Sequence, residues 1–143
     1  MNEHTTPAMR TLVRANVLLL LLILVHDADH VRVAGGHTPA HLWLLNPLTY
    51  LPTIAAIVLA VRGHRLAPTA TALAAVGWVA GFAWVHLLGA GSFWGPFAEP
   101  YTENDPGVLT WTAFFLPMLA AGWAIVAAVR VTAERSKLRV REG

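Results

Sequence analysis

The chain contains no cysteine. Disulfides, thiolate metal sites and thiol catalysis are therefore excluded. It is also poor in charge: 13% of its 143 residues are charged, against about a quarter in soluble domains. Lysine is nearly absent. Lys137 stands alone against nine arginines, a bias that suggests a GC-rich bacterial genome. No G-x-S-x-G, H-E-x-x-H or glycine-rich phosphate loop occurs, so nucleophile-elbow, zincin and nucleotide-binding chemistries lack their signatures. The pI near 9.7 could point to nucleic acid, but the basic residues sit at segment ends and form no patch, so no nucleic-acid partner is expected.

What is present is apolar. Hydrophobic residues make up 56% of the chain, and the mean hydropathy is +0.55. A short chain of this composition reads as an integral membrane protein solvated by the lipid bilayer. Four segments approach the ~20 residues needed to cross ~30 Å of hydrocarbon. They are about 11–33, 42–61, 68–88 and 108–131. Residues 1–9 read as a disordered polar leader. Residues 34–41 and 89–107 read as connecting loops, and 132–143 as a tail. Thr38-Pro39 and Asn46-Pro47 both look like helix starts, and Pro52 adds a kink, so the second span starts late or breaks. Arg10 and Arg14 followed by Ala15 to Val25 could form a signal peptide. The charged residues after Val25 and the lack of an A-x-A site argue against cleavage.

Charge sets the expected orientation. With the N-terminus in the cytoplasm, Arg10, Arg14, Arg62, Arg65, Arg130, Arg135, Lys137, Arg139 and Arg141 all lie inside, and only Arg32 lies outside. The positive-inside rule favours that arrangement. The expected fold is an all-α integral membrane protein: a single-domain four-helix bundle in the plasma membrane, both termini cytoplasmic. His26, His30, His37, His41 and His86 then fall on the outer side, with Asp27, Asp29, Glu99, Glu103 and Asp105.

The segment "VHDADHV" concentrates this chemistry. At 100° per residue, with His26 at 0°, His30 lies at about 40°, Asp29 at about −60° and Asp27 at about 100°. His at i and i+4 lets two imidazoles reach one metal ion. His86 supplies a third candidate ligand. Asp29 and Asp27 are candidate ligands, or orient a ligating histidine. His37, His41, Glu99 and Tyr101 are candidates for further ligands or for a lid, since the loop of 89–107 is longer than a connector needs. Histidine plus carboxylate suits zinc, iron, manganese or copper. A single haem between His30 and His86 is a weaker reading, because His26 and His30 share a face. The bland alternative is that these polar groups only mark the water interface. The aromatic residues near the same face read as an interfacial belt.

Gly77 and Gly81 form a small-xxx-small pair that permits close helix packing, and Ala120, Ala124 and Ala128 repeat it. Packing within the chain is the favoured use, homo-oligomerisation the other. His86 lies about 180° from Gly77 and about 140° from Gly81, and so faces elsewhere. Three functions compete with a metal-binding membrane protein. One is a non-catalytic accessory subunit of a larger membrane complex. The others are a transporter, for which the midplane offers no ionisable residues, and a small enzyme using a His–Asp acid–base pair.

Overall fold

The computed structural model describes residues 6–34, 40–88 and 106–142, and all of its regular elements are helices. They are α1 (Pro7–Ala34), α2 (Ala40–Thr49), α3 (Leu51–Val61), α4 (Ala67–His86) and α5 (Val108–Glu142). Four stretches are long and apolar enough to cross a membrane: Pro7–Val33, Leu44–Val61, Ala67–His86 and Val108–Leu138. Large apolar side chains face outward along them, Leu73 and Leu119 each 70% exposed. A water-solvated bundle would hide such residues; a lipid-solvated one need not.

Two boundaries differ from those the sequence suggests, while the break expected in the second span is present. α1 begins at Pro7 rather than after a disordered leader. Thr6 caps it, accepting from the Met9 amide at 3.2 Å through its hydroxyl, and Pro7 takes the first helical position, where its missing N–H costs nothing. The second span is two helices. Pro47 and Pro52 each lack an N–H, so the ladder lapses at their joint near Tyr50. α5 runs on to Glu142, because Thr132 to Glu142 contains strong helix formers and neither Gly nor Pro.

The helices form a ring in the order α1, α5, α4, α3, with α1 diagonal to α4. Small residues allow the close approach: Ala120, Ala121, Ala124, Ala127 and Ala128 of α5 are all buried, against Leu12, Ala15 and Leu19 of α1 and Ala67 and Ala75 of α4. Such packing supplies dispersion contacts where lipid offers no hydrophobic drive. One polar pair crosses the core. Asn16 Nδ2 donates to Thr71 Oγ1 at 2.9 Å and to the Leu12 carbonyl at 2.8 Å.

The α3–α4 turn is closed by its own chemistry. Gly63 adopts φ +64. Its amide donates to the Ala60 carbonyl and that of His64 to Leu59, the paired bonds of a Schellman ending. Arg135 of α5 donates to the Arg65, Gly63 and His64 carbonyls at 2.9, 3.3 and 3.4 Å. A Cβ at Gly63 would meet nothing within 4 Å, so Gly63→Ala introduces backbone strain alone. The expected loss is about 1–2 kcal/mol, read as a lower unfolding midpoint in detergent. An unchanged midpoint would mean the turn relaxes freely.

Candidate metal centre

α1 and α4 are diagonal partners, so side chains between them fill the bundle axis. At one end that filling is histidine. His26 and His30, one turn apart on α1, meet His86, the last residue of α4. His26 Nε2 lies 3.1 Å from His86 Nε2 and 2.9 Å from His30 Nε2. One ligand nitrogen from each residue falls within 4.8 Å of the others. His26 and His86 are each 2% exposed, and His30 is half-buried. Phe82 and Phe114 back the cluster: the Phe82 ring lies 4.5 Å from that of His26, and the Phe114 ring 5.6 Å from that of His86.

These distances constrain the chemistry. A neutral imidazole nitrogen carries either one hydrogen or one lone pair, directed along one line in the ring plane. His26 Nε2 faces two other Nε2 atoms and can make a linear hydrogen bond with only one. Three lone pairs turned to a common point satisfy all of them through a cation. Bonds of 2.0–2.1 Å in tetrahedral geometry place ligand nitrogens about 3.3 Å apart, close to the two separations that His26 makes, with all three nitrogens within 4.8 Å. The donor set therefore fits a three-histidine site. It does not fit an axial haem pair: the His30 and His86 rings stack face to face, 5.0 Å between centroids and 24° between planes, instead of lying end-on across a porphyrin.

Pro117 stands inside α5 and is fully buried. It has no N–H, so the Ala113 carbonyl loses its intrahelical donor. His26 Nδ1, buried on the far side of the ring, has no hydrogen-bond partner among the described residues. His26 thus turns Nδ1 away from the triad and Nε2 toward it.

The two aspartates leave the triad for different neighbours. Asp29, 7% exposed, is held by Arg32, whose Nε and Nη2 both lie 2.7 Å from Oδ1. Arg32 Nη2 also donates to Thr110 Oγ1 of α5 at 3.0 Å. Asp29 is thus a strap between α1 and α5. Arg32→Ala would leave its buried carboxylate unpaired. Because Arg32 is 52% exposed, the expected cost is only about 1 kcal/mol. The Asp29→Ala/Arg32→Ala double variant should recover part of it in a melting experiment; a double variant no better than Arg32→Ala would refute the strap. Asp27 turns the other way. Its Oδ2 accepts from the Tyr50 hydroxyl and from Asn46 Nδ2, the latter at 2.9 Å. Asn46 Nδ2 also contacts the Tyr50 oxygen at 3.1 Å. This closed group ties α1 to the α2–α3 joint, and all three residues line the same cavity as the histidines. The arc of about 160° expected for the four polar residues of "HDADH" thus fans across three interfaces.

His41 lies on the exposed side of α2 rather than in a loop. It does not line the cavity at the triad. His37, Glu99 and Tyr101 lie outside the described residues. Among the described residues Gly77 and Gly81 pack against no other helix: each is exposed, and a Cβ on either would meet nothing within 4 Å. They line the cavity together with His86, despite the angle between them. The cavity covers a broad arc of α4. With Gly77 at 0°, Leu73 lies at about −40°, Gly81 at about 40°, and Trp78, Phe82 and His86 at about 100°, 140° and 180°. Asn46 and Tyr50 are the site residues the sequence reading omits. Asn46-Pro47 was legible only as a helix-start signal, and Tyr50 only as an interfacial aromatic.

Comparison with family models, curated proteins and solved structures finds no match.

Proposed function

We propose that this chain is a small multi-pass protein of the plasma membrane, with both termini cytoplasmic and a three-histidine transition-metal centre at the extracytoplasmic ends of α1 and α4. The carrying observation is the convergence of His26, His30 and His86 from two diagonal helices onto one point. Charge asymmetry supports the orientation: Arg10, Arg14, Arg62, Arg65, Arg130 and Arg135 all lie toward the opposite end from the triad.

The absence of thiolates leaves zinc, iron, manganese or copper as candidates. Three histidines leave a fourth coordination position, as catalytic zinc sites do. An ion held by the three histidines would be reachable from the cavity, which all three line. Phe82 and Phe114 keep water from the axial side. Asp27, held by Tyr50 and Asn46, presents a carboxylate at the open side, where it can take a proton from a bound group.

The test is metal analysis of purified protein, wild type beside His26→Ala/His30→Ala. The wild type should carry about one ion per chain and the variant none. Equal content in both would sink the centre. Orientation is tested separately, by labelling single cysteines placed at Ser136 and Ala40 from outside intact cells: Ala40→Cys should react and Ser136→Cys should not.

A further inference from the structure

α1, the α2–α3 joint and α4 enclose a cavity of about 930 Å³, within the ~300–1,000 Å³ range of small-molecule sites. Its walls are uneven. At one end stand the three histidines with Asp27, Asn46 and Tyr50; the rest is almost wholly apolar. Along α4 it follows Ala70, Ala74, Gly77 and Gly81, spaced four, three and four residues apart on one helix face. From Ala70 to His86 this wall runs about 24 Å at 1.5 Å per residue, most of the ~30 Å hydrocarbon thickness. The side is open: Pro52, Leu73, Gly77 and Gly81 are all exposed. Trp78 is fixed in the wall by donating to Thr53 Oγ1 at 2.9 Å and by stacking on Tyr50.

We infer that this cavity binds a single-chain lipid with a neutral hydroxyl head, its hydrocarbon chain along α4 and its oxygen between Asp27 and the histidines. Polar groups stand at one end only, the order that a hydroxyl head on a hydrocarbon chain requires. A phosphodiester head has no proton to donate to the Asp27 carboxylate. A helix of a second copy is ~10–12 Å across and would bring apolar side chains against six polar ones. The head follows from hydrogen-bond capacity. Asn46 and Tyr50 both bond Asp27 Oδ2, and Oδ1 accepts the lipid hydroxyl. The hydroxyl oxygen then turns a lone pair to the triad. That last contact rests on the metal centre proposed above; the chain's place along α4 does not.

The probe is a diazirine-bearing hexadecanol, added to the full-length protein in detergent, irradiated, and mapped by mass spectrometry. Crosslinks should concentrate on residues 70–85 of α4 and 52–55 of α3. Unlabelled hexadecanol should displace the probe at a concentration about tenfold lower than hexadecane does, the difference one hydrogen bond to a charged group supplies. Gly77→Leu/Gly81→Leu should abolish the labelling while metal content stays at the wild-type value, which also shows that the variant folds. Asp27→Asn/Tyr50→Phe should bring the two competitors to parity. Labelling spread evenly over the outward faces of α1 and α5, and unaffected by the glycine changes, would overturn the inference. So would a dimer that Gly81→Leu converts to monomer with no crosslink in the cavity, which would make a second copy the occupant. Labelled protein that carries no metal would remove the metal centre and leave the lipid site standing; metal-loaded protein without labelling would do the reverse.

Discussion

His26→Leu protein is expected to fold and to lose its metal. His26 holds the central place in the triad: its Nε2 approaches both other imidazoles, at 3.1 and 2.9 Å. Removing a residue that merely orients a metal ligand costs about 10–100-fold in affinity. Removing the central ligand itself should exceed that, so a loss of more than about 100-fold is expected in competition with a chelator of known affinity. Leucine is apolar and sits between Phe82 and the α5 wall, so the bundle keeps its packing. Metal-loaded wild type should be more stable in detergent than the variant, because an ion bound only by the folded chain stabilises it, whereas wild type stripped of metal should unfold within about 1 kcal/mol of the variant. His86→Leu should lose metal likewise. His41→Leu, on the exposed side of α2, should change nothing. A His26→Leu protein that binds metal as tightly as wild type would show that the three imidazoles are only a polar plug.

Phe114→Ala is expected to give the largest loss of stability among single changes at this end of the bundle. Phe114 is fully buried. Its ring lies 6.1 Å from Phe82, 5.6 Å from His86 and 5.9 Å from Trp111. Truncating a buried phenylalanine costs about 3–5 kcal/mol in soluble cores. In lipid the transfer contribution shrinks, but lost dispersion contacts and the void remain, so about 3 kcal/mol is expected. Metal affinity should fall as well, since His86 loses the wall that fixes its ring. The checks are unfolding in mixed micelles and chelator competition on the same preparation. A variant with unchanged affinity and a loss under about 1 kcal/mol would mean that the aromatic wall does not set the histidine geometry.

Much of this fold is legible in the sequence. Apolar runs of near-spanning length give the helices directly, because each must satisfy its own backbone in lipid. Pro68 marks the start of the third span by a simple steric rule. Thr6-Pro7 carried a readable start signal, hidden by the polar composition around it. The spacing of His26 and His30 declared a shared face, and His86 joined them by depth alone. The fates of Asp27 and Asp29 were not legible. Helical angles say where a side chain leaves its own helix, not which neighbour waits there. Arg32 lies about 60° from Asp29 on that wheel, close enough to capture it, and Thr110 on a distant helix completes the strap. The glycines of α4 misled for the same reason. A small-xxx-small pair shows that something can come close, and among the described residues no other helix does.

Composition and spacing by themselves determined the helical class, the approximate spans, the charge asymmetry and the two-histidine face, because each depends on residues near in sequence or on bulk solvation. Only the tertiary structure decided that the HDADH residues divide among three interfaces, that His86 meets His26 across the diagonal, and that the α2–α3 break opens a cavity beside them. Those outcomes depend on the order in which helices surround one another. That order follows from how small residues of α1, α4 and α5 interlock over the whole bundle, a property no local pattern contains.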